Sequence, residues 1–343
     1  MNYNLIFGAY QDYMIDGVSD EWGLYKDFNH QNQDYHPLPN SWSTSKLMIM
    51  DPSNESWREY ILEQEQNVFT CLDFDGWHMD QLGYRGALYN YNGSRINLDS
   101  TYGDFIDYID QKMEVDIVFN LVNDYGLLDI LTNEELEFIY TEIWNIRRYN
   151  ELVNLIENYE NISDKNVVIA GYMNYNLSNN NGEFNTPGIL LANATIFASG
   201  GSHIELGDHG LLSNEYFPND NLSMSSELEN RLIKYYDFLV AYENCLRDDV
   251  ENTDLYIMSD DIKLSQSDTY VMYLTRKYLD KQIIHLINYE GNDSLWRDDD
   301  GYKQNPEIEE DFKIKVYIDN EINKISLASP DYMKGITQEL EFT

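Results

Sequence analysis

Apolar and polar positions along the chain fall into two alternating patterns. Short runs rich in Val, Ile, Phe and Tyr read as strands, and the longer stretches between them repeat apolar residues every three or four positions, as amphipathic helices do. The strand-type runs are "NLIFGAY" (4–10), "CLDFDGW" (71–77), "DIVFNLV" (116–122), "LEFIYTE" (136–142), "NVVIAGYM" (166–173) and "ATIFAS" (194–199). Helical periodicity marks "SNESWREYILEQEQNVFTCL", which opens on a Ser/Asn cap, then "YGDFIDYIDQKM" and "RRYNELVNLIENYE". The longest such stretch is "MSSELENRLIKYYDFLVAYENCLRD", which opens on a Ser-x-x-Glu-type cap.

Strand and helix in alternation, with polar or aromatic residues at each strand's end, predict an α/β fold of the (β/α)8 TIM-barrel type rather than a doubly wound sheet. No Gly-x-Gly-x-x-Gly turn follows any of these strands, so the signature of a dinucleotide-binding sheet is missing. Six strands are two fewer than a closed barrel needs, and the first begins at residue 4. The expectation is a barrel lacking its first two strands, with Met1 an internal start or a fragment boundary. After about residue 250 the pattern changes. "TDLYIMS", "TYVMYLTR", "KQIIHLINY", "FKIKVYID" and "NKISLAS" alternate apolar and polar residues between Asp, Asn and Gly turns, which reads as an antiparallel β domain. The domain reading is therefore 1–250 for the N-terminally truncated barrel and 251–343 for a C-terminal β-sandwich-like domain, itself incomplete because "QELEFT" brings no closure.

Charge narrows the partners. Acidic residues number 61 against 22 basic ones, a formal net charge of -39, which repels phosphate backbones and anionic lipid and argues against nucleic-acid and membrane partners. "MNYNLIFGAYQD" has no basic start and no long apolar region, so this chain carries no visible export signal. Aromatics reach 14%; Tyr and Trp present a flat apolar face with a polar edge, which suits a sugar ring, though composition alone gives this slight weight. Cys71 and Cys245 are too few for a disulfide framework or a cysteine metal site. Cys71, within an apolar helical run, is expected to be a buried free thiol.

In a barrel, chemistry stands where strands end and βα loops begin. The second run places Asp75, Trp77, His78 and Asp80 there, with Gln81 beside them; the third places Asn120 and Asn123. The fourth gives Tyr140, Glu142 and Trp144, the fifth Tyr172 and Asn174, and the sixth His203, Glu205 and Asp208. Asp80 and Glu142 are then two carboxylates on one rim, surrounded by amides and aromatics. Glycoside hydrolysis needs such a pair: one group attacks the anomeric carbon, and the other donates and recovers a proton. A metal at His203, Glu205, Asp208 and His209 is the rival idea, but a carboxylate pair requires none and the histidine spacing matches no helical zinc motif. "DDDGY" (298–302) lacks the spaced ligands of a calcium loop and reads as a solvated turn. No cofactor and no metal is implied.

"FDGWHMDQLG", "YTEIW", "AGYMNY", "FNTPGILL" and "FASGGSHIELGDH", in that order, resemble glycoside hydrolase family 66. So do "YNLIFGAYQDY", "EWGLYKD", "YHPLPNSW" and "YYDFLVAYENCLRD", so that the resemblance runs through nearly the whole chain. The family contains endo-dextranases and cycloisomaltooligosaccharide glucanotransferases. The resemblance implies a retaining enzyme acting on the α-1,6-glucosidic bonds of dextran or isomaltooligosaccharides, monomeric and secreted or at the cell surface. The family's nucleophile matches Asp80, at the end of Asp-Gly-Trp-x-x-Asp, and its acid/base matches Glu142, in Tyr-x-Glu-x-Trp. A retaining pair implies a carboxyl separation of roughly 5–5.5 Å. Asn120 and Gln81 are the expected partners of Asp80, while Tyr140 and Trp144 would shield Glu142. Asp75, Trp77, His78, Asn123, Tyr172, Asn174 and His203 complete the expected substrate-binding set. Cyclising members of the family carry a carbohydrate-binding module inserted in the catalytic region. This chain has only a short segment between "GYMNYN" and "TIFASGG", which favours hydrolysis over cyclisation. A third alternative is an inactive glucan-binding fragment.

Overall fold

The computed structural model describes residues 19–36, 47–131, 136–204, 212–214, 219–319 and 321–343, together with the backbone of 2–4 and 8–10. The chain divides into two compact units, Met1–Trp144 and Asn145–Thr343.

The first unit is built on parallel strands β1 (Asn2–Asn4), β2 (Gly76–Met79), β3 (Asp116–Val122) and β4 (Ile139–Glu142), hydrogen-bonded in that order. Among the described residues two long helices and a short one, Leu127–Leu131, lie between them. Helix α1 (Glu55–Cys71) starts where the Asn54 side chain accepts a hydrogen bond from the Trp57 backbone N–H, an N-cap that satisfies a donor the first turn would leave bare. Helix α2 (Leu98–Asp110) buries Leu98, Thr101, Tyr102, Phe105, Ile106 and Ile109. This three-four spacing is a single apolar stripe, the face a helix lays on a sheet. A small antiparallel sheet of Gly8–Tyr10, Tyr35–His36 and Leu47–Ile49 completes the unit.

Strand boundaries here differ from expectation in one instructive place. The run at 71–77 is helix to Cys71 and strand only from Gly76, because the Asn54 cap launches α1 and nothing breaks it before the Asp73–Asp75 turn. Cys71 consequently lies exposed on the last turn of α1 rather than buried. The run at 116–122 is a strand over its full length, and the run at 136–142 is a strand over Ile139–Glu142. Residues 5–7 of the first run lie outside the described residues, which give strand at 2–4 and 8–10.

In the second unit, α3 (Tyr149–Ile162) precedes β5 (Val167–Ala170), α4 (Thr186–Ala198) precedes β6 (Gly201–Ile204), and β5 and β6 pair in parallel. Helix α5 (Ser226–Ala241) follows, capped by Ser225. The run "ATIFAS" is the end of α4, not a strand. Asn185 caps that helix by accepting from the Gly188 N–H, with Pro187 in its first turn. Nearly every residue of α4 from Gly188 to Ala198 is buried, and a helix apolar on all sides has no stripe by which a sequence could distinguish it from a buried strand. The strand comes just afterwards, beyond Gly200, which turns the chain at φ +92.

The carboxyl-terminal part is a β structure, as its alternation predicts. Strands β7 (Val271–Tyr278) and β8 (Lys281–Asn288) pair antiparallel along their whole length, from Val271 opposite Asn288 to Tyr278 opposite Lys281. Short antiparallel pairs join 257–258 to 315–316 and 325–327 to 338–340. Arg276 in β7 is fully buried. Its guanidinium reaches Glu160 of α3 with both terminal nitrogens at 3.1 Å and also donates to the carbonyls of Ser199 and Leu246. No described helix is long and apolar enough to cross a membrane.

Candidate active site

Register alone aligns the first unit's polar side chains. Met79 lies beside Phe119, and Asn120 beside Tyr140. In-register neighbours of a parallel sheet share a face, and side chains alternate faces along each strand. His78 and Asp80 on one strand, Asn120 on the next, and Tyr140 and Glu142 on the third therefore point to the same side, at the carboxyl ends. Trp77 belongs to the opposite face.

Asn120 ties the two acids together. It is nearly fully buried, and its Nδ2 donates to Asp80 Oδ1 at 2.7 Å and to Glu142 Oε2 at 2.8 Å. Those two oxygens can be no farther apart than the sum of the distances, about 5.5 Å, which is compatible with the roughly 5–5.5 Å carboxyl spacing of a retaining pair. Each acid has a second donor: the Gln81 backbone N–H to Asp80 Oδ1 at 2.9 Å, and Trp144 Nε1–H to Glu142 Oε1 at 2.6 Å. Both carboxylates remain partly exposed, so a substrate can reach them.

The loop after β3 locks this geometry. Asn123 takes the left-handed conformation at φ 50, which asparagine tolerates better than most residues. Its backbone N–H donates to the Glu142 carbonyl at 2.9 Å, and its Oδ1 accepts from the Trp144 N–H at 2.8 Å. The chain beyond Glu142 is thereby fixed, and with it the indole that holds the carboxylate. Tyr140 is buried, and burial together with the charges of Glu142 and Asp80 pushes its hydroxyl pKa far up, so it stays a protonated donor. Its ring meets the His78 ring edge-on at 4.4 Å and 69°. Burial pushes the His78 pKa down to about 4, leaving it neutral near pH 7.

The expected set therefore divides. Asp80, Gln81, His78, Asn120, Asn123, Tyr140, Glu142 and Trp144 come together, although Gln81 serves Asp80 with its backbone and uses its side-chain oxygen on the Gly83 N–H. Asp75 and Trp77 do not join them. Asp75 is exposed ahead of β2, at the opposite end of the strand from Asp80. Trp77 is wholly buried and, by alternation, faces away.

Tyr172, Asn174 and His203 lie in the second unit, and the last two are occupied structurally. Asn174 has no exposed surface; its amide donates to the Asp298 carbonyl at 2.7 Å, and its oxygen accepts from the Asn185 N–H at 2.9 Å. His203 places Nδ1 at 2.7 Å from Asn193 Oδ1 and Nε2 at 3.0 Å from the Gly171 carbonyl. Neither side chain has a group left for a sugar hydroxyl. Tyr172 is buried at the end of β5. Glu205, Asp208 and His209 lie outside the described residues. The "DDDGY" turn is not solvated at its first residue: Asp298 is buried, and its carboxylate caps its own loop by accepting from the Tyr302 and Lys303 N–H groups.

A mixed α/β fold with a parallel sheet, carrying two carboxyls joined by one amide at its strand ends, is an arrangement that glycoside hydrolysis uses. The chain belongs to glycosyl hydrolase family 66, whose model matches residues 1–343. It is 27% identical over 488 residues to a cycloisomaltooligosaccharide glucanotransferase of Niallia circulans, a match covering all of this chain and 50% of that relative. A dextranase of Streptococcus salivarius is 25% identical over 322 residues, covering 78% of this chain and 39% of the relative. A crystal structure of a Paenibacillus cycloisomaltooligosaccharide glucanotransferase with cycloisomaltoheptaose matches 99% of this chain and 69% of its own, with a TM-score of 0.92 at 25% identity. The chain spans half or less of the length of these curated relatives.

Proposed function

We propose that the chain is the catalytic part of a retaining endo-glycoside hydrolase that cleaves α-1,6-glucosidic bonds of dextran, with Asp80 as nucleophile and Glu142 as acid/base. The observation that supports this reading is the Asn120 amide, which donates to both acids and keeps one oxygen of each within about 5.5 Å of the other, a closeness compatible with a retaining pair. Like charges so close disfavour ionisation of both groups, which suits a pair where one member attacks as carboxylate while the other holds a proton. The contact of Trp144 with Glu142 is consistent with this division of roles. Its indole N–H donates to Glu142, whereas Asp80 stands just past the strand end, partly exposed and held by the Gln81 backbone N–H and the Asn120 amide. In the first step Asp80 bonds to C1 as Glu142 protonates the departing glycosidic oxygen. In the second, water deprotonated by Glu142 attacks C1 and releases Asp80, so the α configuration is retained. The same reading takes residues 1–250 as part of a (β/α)8 barrel and 251–343 as a β-sandwich-like domain, in a secreted or cell-surface monomer.

Cyclising transfer is the second reading, and the relatives named as glucanotransferases favour it. The Niallia circulans match extends over 488 residues against a chain of 343, so well over a hundred positions of that relative have no counterpart here. A long acceptor arm needs a second hold on the glucan, and that shortfall favours water as acceptor. Glu142→Gln should lower turnover of dextran by about 10²–10⁴-fold, with a smaller loss on an isomaltoside whose leaving group needs no proton. Equal loss on both would remove Glu142 from the acid role. Chromatography of the products separates the readings: linear isomaltooligosaccharides support hydrolysis, and cyclic ones support transfer.

A further inference from the structure

Beside the carboxylate pair, the loops that follow β2 and β3 enclose a cleft of about 620 Å³ that the proposed chemistry does not use. Gly83 allows the two loops to meet: it turns at φ +72, and a Cβ there would stand 3.2 Å from a Val122 methyl. Three tyrosines form a line through this region. Tyr102 of α2 is buried, Tyr125 meets it edge-on at 6.2 Å and 90°, and Tyr84 meets Tyr125 edge-on at 5.7 Å and 70°. The line ends in solvent, since Tyr84 is 77% exposed. The outermost ring is thus supported from behind by a ring anchored in the core, so a flat aromatic surface stands in water without being loose.

The chemistry of the lining selects a ligand. Asp99, Asp124 and Asp129 line the cleft, and no cationic residue does among the described residues, so anions are repelled and the lining is rich in the acceptor oxygens that hydroxyls seek. An aromatic face beside such acceptors matches a sugar, whose C–H groups lie on the ring faces and whose hydroxyls project from the edges. The cleft adjoins the site through one residue. Asn123, one of its lining residues, is the residue that fixes Glu142 and Trp144.

We propose that the Tyr84–Tyr125 cleft is a glucan subsite, with Tyr84 the platform on which a glucose unit stacks several bonds away from the one being cut. The assignment rests on the proposed α-1,6-glucan activity and adds where a long chain is held. A substrate reaching the cleft gains this contact; a short one does not. Sequence reasoning passes over Tyr84 because a tyrosine in a Gly-flanked loop is unremarkable without its neighbours. The available signal was its position, between Gly83 and Gly86 immediately after a strand end.

The test compares kcat/KM on dextran with kcat/KM on a short activated isomaltoside for the chain and for Tyr84→Ala. The ratio of long to short should fall about tenfold in the variant, equivalent to about 1.4 kcal/mol of binding, and Tyr84→Trp should restore it. A ratio unchanged in Tyr84→Ala while the parent turns over dextran overturns the subsite and leaves the functional reading standing. Failure of the parent to act on any α-1,6-glucan overturns both. A fall in Tyr84→Ala that Tyr84→Trp does not restore overturns the stacking role.

Discussion

Asn120 offers one amide nitrogen to two acids. Its buried Oδ1 has no partner among the described residues, so the side chain's whole polar function is directed at Asp80 and Glu142. Asn120→Ala should lower kcat on dextran by about a hundredfold, the usual loss when one donor to a reacting charge is removed. The pH–rate profile should change shape as well, because the two acids would no longer be coupled through a shared donor. A merely structural asparagine would reduce the amount of folded enzyme and leave the profile unmoved. At this scale the sequence was informative about placement along a strand. Asp80, Asn120 and Glu142 are legible because strand ends are legible. Asn174 and His203 look equally suited to bind hydroxyls, yet their partners Asp298 and Asn193 consume them, and no local pattern reveals where a distant loop will dock.

Elements are placed by the same balance of local and distant causes. Helices α1 and α2 follow from their caps and stripes, and β3 from its unbroken Asp116–Val122 run. Helix α4 does not, because burial on all sides erases periodicity, and only its Asn185 cap and Pro187 mark it. Arg276 is the clearest case of an element held by a residue whose type would not suggest it. From the middle of β7 it binds Glu160 of α3 and the carbonyl ending α4. Arg276→Met should destabilise the protein by about 3 kcal/mol, since it strips the partner from a half-sheltered carboxylate and from two carbonyls. Denaturant titration would show this as a lower midpoint at unchanged slope. A loss under half that size would mean that the hairpin is held by its apolar contacts alone.

For the molecule as a whole, pH acts on stability through individual sheltered groups as well as through a net charge of -39. Burial lowers the His78 pKa to about 4, and burial with the nearby Arg276 charge lowers that of His285 to about 3. Below the ordinary value of 6.5 the unfolded chain takes up protons at these histidines and the folded chain does not. Stability therefore falls as pH drops from about 6.5 toward 4, by up to about 1.4 kcal/mol per pH unit for each histidine. Burial raises the pKa of Asp51 and Asp298, an opposing effect that acts near the carboxylate range and above it. Melting temperatures from pH 7 to pH 5 should decline, and His285→Gln should flatten the decline. An identical slope in that variant would assign the acid sensitivity elsewhere.

The loop at 298–303 also has a consequence in time. Asn174 donates to the Asp298 carbonyl, and Asn185, the cap of α4, donates to the carbonyls of Gly301 and Lys303. More than a hundred residues of chain separate the two sides of this clasp. During synthesis α4 emerges long before its fastening does, so the helix that is most thoroughly buried must wait, apolar on every side, for a loop not yet made. Contacts of such long reach slow folding. In the interval a growing chain would offer α4 to any chaperone able to hold it.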